Sequence, residues 1–327
     1  MLCRLKLLSV VVAIATAAAL VPAAAHAQFD TKPAAPGAAA GAPLGASKTQ
    51  NWEFGVSIRA VGGPCAGLFG TVPVPADWPE QQVKIAHEEI TPQVRRSNYR
   101  QIDGLKQLLF EVPQLQSGDT ATCFITFEVT KSTQVPPADP SGLVVPKDAP
   151  KEVRKCLGPS PLIESTNAKV KSLARELVAG KTGGWEQAQA IRDAVRDRVK
   201  YEPVSKEVFV GAAAALKDGK ADKEDLTAAF VALSRAAKIP ARMVWALDYC
   251  YAEFYLEDAD GKGAWYPCVL HEDVPLGAVT DTRPILEKGD NFKVPESKSP
   301  QRFVAEYLTG KGGGGKPSVE FRRRMAD

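Results

Sequence analysis

The sequence has few histidines, no long hydrophobic run after its first residues and almost no excess of charge of either sign. Only three of the 327 residues are histidine, and the cysteines and histidines do not form the paired spacings of a zinc site. Nucleic-acid binding needs a concentrated basic face, whereas 41 lysines and arginines are matched here by 38 acidic residues. We therefore expect no metal, no cofactor and no nucleic-acid partner.

The first 27 residues have the three parts of a secretory signal peptide. Arg4 and Lys6 form the basic start, Leu7–Leu20 the apolar stretch, and residues 25–27 a small-x-small cleavage site. No later segment approaches the roughly 20 apolar residues of a membrane span. We predict an exported protein, soluble in the periplasm or outside the cell, with no transmembrane segment in the mature chain.

Removal of the signal peptide leaves an odd number of cysteines. Of the six in the sequence, Cys3 lies in the leader. An oxidising compartment allows up to two disulfides, of which Cys65 with Cys123 is one candidate pair, and the alternative is that all the thiols stay reduced. The remaining cysteines are Cys65, Cys123, Cys156, Cys250 and Cys268.

The pattern along the chain predicts two folded domains and an α+β fold class. From Trp52 onward apolar and polar residues alternate, which is the period of a half-buried strand, and turn residues separate several such strands. A proline-rich segment precedes the first helical pattern. The predicted boundaries are 1–27 for the signal peptide, 28–50 for a flexible Ala/Pro/Gly linker, 51–132 for a β-sandwich, 133–150 for a Pro-rich linker, 151–309 for an α+β domain with a C-terminal extension, and 310–327 for a flexible tail.

One helix and three strands are the main features of the second domain. Asp222 is a favourable N-cap, and apolar residues follow it at helical spacing as far as Ala237. The helix should end before Pro240, because proline cannot continue it. Residues 241–245, 249–256 and 264–270 have the pattern of strands.

Several motifs of this region resemble the bacterial transglutaminase-like superfamily. Residues 221–227 (ADKEDLT) and 232–244 (ALSRAAKIPARMV) are similar to its central motif. Residues 249–256 (YCYAEFYL) and 265–267 (WYP) are similar to its histidine strand and to the aspartate strand that follows. The resemblance covers about residues 160–272 and implies a papain-like α+β fold.

The resemblance also indicates where a catalytic triad would lie. In that family a cysteine at a helix N-terminus, a histidine on the next strand and an aspartate on the strand after it act together, because the helix dipole and the imidazolium favour the thiolate. The corresponding positions of this sequence are Lys223, Tyr249 and Val269. All three are substituted, which predicts a relative without the family's chemistry.

Other residues could still act at such a site. Lys223 could replace the nucleophile, although the acidic residues around it favour its charged form. Cys250 and Cys268 are candidates for a displaced thiol, but strand alternation turns them away from Tyr249 and Val269. His271 shares the parity of Val269 and could approach the cleft, or it could lie in a solvated turn. The aromatic residues expected to line a binding groove are Trp245, Tyr251, Trp265 and Tyr266.

Three functions fit these observations. The first is a non-catalytic module that binds a peptide, a protein or an envelope polymer. The second is an enzyme, a transamidase or a peptidase, that uses a displaced cysteine or a lysine. The third is a structural envelope protein. Thiol reactivity distinguishes the second from the other two.

Overall fold

The computed structural model describes residues 40–203 and 209–326. The predicted signal peptide and most of the 28–50 linker lie outside the described residues. The strands are β1 (Ala40–Gly41), β2 (Leu44–Val61), β3 (Cys65–Val74), β4 (Gln81–Ile90), β5 (Arg96–Ile102), β6 (Leu105–Leu115), β7 (Thr120–Gln134), β8 (Lys200–Tyr201), β9 (Lys220–Ala221), β10 (Ala241–Ala246), β11 (Tyr249–Glu257), β12 (Gly263–Cys268), β13 (Ile285–Lys288), β14 (Tyr307–Thr309) and β15 (Lys316–Met325). The helices are α1 (Lys151–Arg154), α2 (Ala168–Val178), α3 (Gly184–Arg198), α4 (Ala212–Asp218) and α5 (Lys223–Ala236).

A β-sandwich forms the N-terminal part of the molecule. One of its sheets has the order β15-β2-β7-β4 and is antiparallel throughout. In β2 the alternating residues Phe54, Val56 and Ile58 are buried against β3 and β6 of the facing sheet. The α+β class with a β-rich N-terminal part, predicted from this alternation, is confirmed.

The facing sheet continues beyond the sandwich. Its nine strands follow the order β1-β12-β11-β10-β13-β6-β3-β14, with β5 paired to β6. The junction is the antiparallel pair of β13 and β6, where Glu287 lies opposite Leu105. Strands from both predicted domains thus share one sheet, and the division at residues 133–150 stays a prediction.

Helix α5 is the centre of the second core. The Asp222 carboxylate caps it by accepting a hydrogen bond from the Asp225 amide at 2.8 Å, as its sequence position predicts. The helix ends where Lys238 adopts a left-handed backbone before Pro240. Its apolar residues pack with α2, α3 and α4 against one face of β10, β11 and β12. This packing fixes the helix N-terminus relative to the strands.

Two expectations about the chain ends are wrong. Residues 316–325, within the predicted flexible tail, form β15 and pair with β2 along ten residues. Phe321 packs on the sandwich core, and the Arg322 guanidinium lies 4.3 Å from the Phe124 ring centroid. The arginine run and the preceding glycines obscure this amphipathic pattern in the sequence. Strand β2 likewise begins at Leu44, inside the predicted linker.

The five described cysteines are all free, so the proposed Cys65–Cys123 disulfide is not formed. Four of them are buried in the cores, and Cys156 is half-buried. Within the described ranges, no helix combines the length and the apolar composition that a membrane crossing requires.

Candidate cleft at the N-terminus of helix α5

The three positions that the sequence resemblance predicts for the triad lie near one another in the fold. Lys223 is the first residue of α5, Tyr249 is the first residue of β11, and Val269 directly follows β12. The Lys223 ammonium donates a hydrogen bond to the Asp248 carbonyl, next to Tyr249, at 3.2 Å. Tyr249 and Val269 are buried in the same apolar cluster. We call this region the cleft.

The Lys223 side chain makes the contacts of an ammonium ion. Besides the Asp248 carbonyl it has the Glu224 carboxylate at 3.7 Å. Burial raises the pKa of Glu224, and the nearby lysine opposes that shift. The lysine side chain is about a quarter exposed, at 28%, so it can reach a ligand at the cleft. Its two contacts are both with oxygen atoms, a carbonyl and a carboxylate.

The positively charged side chain of Arg283 lies over the Tyr249 ring. The Arg283 guanidinium carbon is 4.8 Å from the ring centroid, and Arg283 also donates to the Asp248 carbonyl at 3.2 Å. Asp281 holds the same guanidinium at 2.7 Å. Burial is the main cause that raises the pKa of the phenol, and the Glu272 carboxylate adds to it. Tyr249 therefore stays neutral and cannot serve as an imidazole does.

His271 is part of the cleft and not of a solvated turn. Its ring centroid lies 5.0 Å from that of Tyr249 and 5.7 Å from that of Tyr201. Nε2 is 3.6 Å from the Glu272 carboxylate, and Nδ1 is buried with no hydrogen-bond partner within the described residues. Burial lowers the pKa of the imidazole despite Glu272. Among the described residues, the cleft thus contains the neutral imidazole of His271 and no thiol next to it.

The two candidate thiols lie on the other side of the sheet. Cys250 and Cys268 are fully buried in the core beneath the helices. The Cys250 sulfur is 3.7 Å from the Thr227 hydroxyl, inside that core. Burial raises the pKa of both thiols, which disfavours the reactive thiolate. The alternation of β11 and β12 predicts this placement correctly.

The four candidate aromatic residues do not line one groove. Trp245 and Tyr266 pack on the helix-covered face of the sheet, whereas Tyr251 and Trp265 lie on the opposite face. The pairing of Tyr266 with Phe254 and of Trp265 with Tyr255 fixes these faces. All four are buried. Their proximity in the sequence is misleading because successive strand residues point in opposite directions.

The structure adds cleft residues that the sequence analysis missed. Asp248 supplies the carbonyl that both cations share, and Arg283 comes from a segment 35 residues away. Asp248 has a left-handed backbone, with φ of 52°, in the turn between β10 and β11. An aspartate between two predicted strands is a recognisable turn signal. No pattern of residues near Arg283 in the sequence predicts its contact with the Asp248 carbonyl.

No metal site is apparent in the part of the chain that the structure describes. Within residues 40–203 and 209–326, no group of three histidine, cysteine, aspartate or glutamate side chains is arranged to hold a metal ion.

Helix α5 packs on the antiparallel strands β10, β11 and β12, and the three positions lie at the helix start, at the start of β11 and directly after β12. This is the arrangement of a papain-like α+β fold. Within that class, residues 171–268 match the family model of the transglutaminase-like superfamily.

Comparison with solved structures gives several matches, one of which has a TM-score above 0.5. A candidate cysteine protease of Cytophaga hutchinsonii is 16% identical with a TM-score of 0.57, and the match covers 87% of this chain and 92% of that chain. The periplasmic domain of TgpA from Pseudomonas aeruginosa matches at 14% identity with a TM-score of 0.31, over 66% of this chain and 86% of that chain. No curated protein sequence matches the chain.

Proposed function

We propose that this chain is an exported, non-catalytic transglutaminase-like protein that binds a peptide, a protein or an envelope polymer at its cleft. One observation carries the proposal. The sequence resemblance assigns the nucleophile, the base and the orienting carboxylate to Lys223, Tyr249 and Val269. These residues lie near one another around the start of α5, and an amine, a phenol and an aliphatic side chain do not supply that chemistry, which supports the proposal.

The remaining groups of the cleft do not replace the lost functions. Lys223 is engaged by a carbonyl and a carboxylate, and an ammonium has no lone pair for attack. His271 has no hydroxyl or thiol hydrogen-bonded to it within the described residues. A nucleophile and its base must be within hydrogen-bond reach of one another. Binding requires only a partly exposed cation and polar neighbours, which the cleft has. These residues therefore favour binding over catalysis.

Export rests on the sequence of residues 1–27 alone, which lie outside the described residues.

The test measures the alkylation rate of each cysteine against pH, by mass spectrometry on the native mature chain. We expect Cys250 and Cys268 to label slowly up to high pH, because burial raises the pKa of both thiols. A thiol that labels fast near neutral pH would overturn the non-catalytic assignment and favour the enzyme alternative.

A second arm of the same test measures retention on peptide arrays and on isolated cell walls. The cleft variant is Lys223→Glu, and its matched control is Lys262→Glu, an exposed lysine in the turn between β11 and β12. Loss of retention in the cleft variant alone supports binding at the cleft. Equal retention in both variants contradicts it.

A further inference from the structure

A separate groove on the sandwich concentrates positive charge. It lies where β3 and β6 meet the start of β5 and the segment after β14, and it encloses a cavity of about 680 Å³. Its cations are Arg95, Arg96 and Lys311, and its only acidic residue is Glu111. The chain as a whole is nearly balanced in charge, so three cations around one groove stand out.

These cations are available to a ligand. Arg95 and Lys311 are exposed, and neither has an ion-pair partner within the described residues. Arg96 approaches Glu111 at 3.8 Å, but the arginine side chain is 68% exposed. An exposed pair at that distance contributes little stability, so an incoming carboxylate can compete for Arg96.

The backbone on both sides of the groove is fixed. The Arg95 amide donates to the Glu111 carbonyl at 3.0 Å, and the Lys311 amide donates to the Ala66 carbonyl at 3.0 Å. Gly67 has a φ of 59°, and a Cβ there would be 3.0 Å from three carbons of the Lys311 side chain. The absence of a side chain at Gly67 thus lets the lysine stem lie across β3. The backbone that carries these cations therefore needs no ordering on binding, and the entropy cost is limited to the side chains themselves.

The floor of the groove is partly apolar. Phe69 and Pro113 line it together with the cations, and Phe69 lies opposite Glu111 in the β3–β6 pairing. An apolar surface favours contact with the apolar side chains of a peptide and does not stabilise a bound phosphate chain. The Glu111 carboxylate opposes any anionic ligand, but it can accept a hydrogen bond from a peptide amide, which a phosphate chain does not have.

We propose that this groove binds an acidic peptide segment. Carboxylates of the ligand pair with Arg95, Arg96 and Lys311, while an apolar side chain between them rests on Phe69 and Pro113. The site is distinct from the cleft, and the proposal holds whether or not the cleft binds a ligand.

The test uses the full mature chain and a fluorescein-labelled octapeptide of six glutamates with one phenylalanine and one leucine at its centre. We expect saturable binding that weakens as salt rises, because the contacts are exposed charge pairs. Arg95→Glu combined with Arg96→Glu should weaken binding by roughly tenfold or more. Lys169→Glu combined with Lys171→Glu, on exposed positions of α2, is the charge-matched control and should change it little.

Three further arms complete the experiment. Lys311→Glu tests the opposite side of the groove and should also weaken binding, and thermal unfolding of each variant confirms that it is folded. Lys223→Glu reports on the cleft: if this variant loses binding while the groove variants keep it, the peptide binds at the cleft and the proposal is overturned. The proposal is overturned if the peptide does not bind, if the groove variants bind as well as wild type, or if inorganic polyphosphate binds more tightly than the peptide.

Discussion

At the residue scale, His271 is held in an environment that excludes its charged form. The ring lies between Tyr201 and Tyr249 with one nitrogen buried and unpartnered among the described residues. Its pKa is lowered in the folded protein by burial. A base with a lowered pKa binds fewer protons folded than unfolded, so stability falls as the pH drops below its unfolded pKa of about 6.5.

We therefore predict that His271→Gln removes part of the loss of stability on acidification. Urea unfolding between about pH 7.5 and 5 should give a smaller fall in the free energy of unfolding for this variant than for wild type. His87→Gln, at an exposed position of β4, is the matched control. If the two variants show the same pH dependence, the burial of His271 has no thermodynamic effect.

At the element scale, the start of α5 is fastened by a buried aspartate. The Asp225 carboxylate accepts from the Val210 and Gly211 amides at 2.6 and 3.1 Å and from Arg302 at 2.9 Å. Arg302 is itself buried, with its guanidinium 4.3 Å from the Phe209 ring. One carboxylate thus joins the helix to two other segments of the chain.

Replacing Asp225 by alanine should lower the free energy of unfolding much more than removing the helix cap at Asp222 does. Asp225→Ala leaves a buried guanidinium without its counter-charge, and we expect a loss of about 3 kcal/mol in the free energy of unfolding. Asp222→Ala removes one cap bond and should cost about 1 kcal/mol. Urea denaturation measures both, with Asp218→Ala on an exposed side chain as the control. Equal effects of the two variants would show that the Arg302 contact contributes nothing.

Some of the helices and strands could be predicted from the sequence, and others could not. The α5 cap at Asp222 and strands β10 to β12 follow local signals, and the structure has them close to the predicted bounds. Strand β15 was missed because an exposed edge strand needs only one apolar face, and its three arginines obscure it. The partners of Asp225 and Asp248 come from distant segments, and no pattern of neighbouring residues reveals them.

At the scale of the whole molecule, the sandwich and the helical part are joined by a buried charge network. The Lys288 ammonium on β13 contacts the carboxylates of Glu80, before β4, at 2.5 Å and of Glu253, on β11, at 2.6 Å. Arg242 on β10 holds the second oxygen of Glu253. All of these carboxylates are buried, and the two cations hold the pKa of Glu253 below its ordinary value although burial opposes them. Separating the two parts would expose or unpair these charges.

We therefore expect the described chain to unfold in a single transition. Calorimetry should give equal calorimetric and van't Hoff enthalpies, and near- and far-ultraviolet circular dichroism should change together. Lys288→Met leaves two buried carboxylates facing each other and should lower the melting temperature markedly. The exposed substitution Lys298→Met is the control. Two separate transitions in the wild type would show that the parts are independently stable.

Strand β15 also determines the order in which the sandwich can assemble. Arg324 pairs with Glu53, 271 residues earlier in the chain, so β2 lacks its outer neighbour until those 271 further residues are available to fold. Contacts at such sequence separation close slowly. During that interval the unpaired edge of β2 can form hydrogen bonds with strands of other molecules. The chain must therefore be protected from aggregation until β15 has paired with β2.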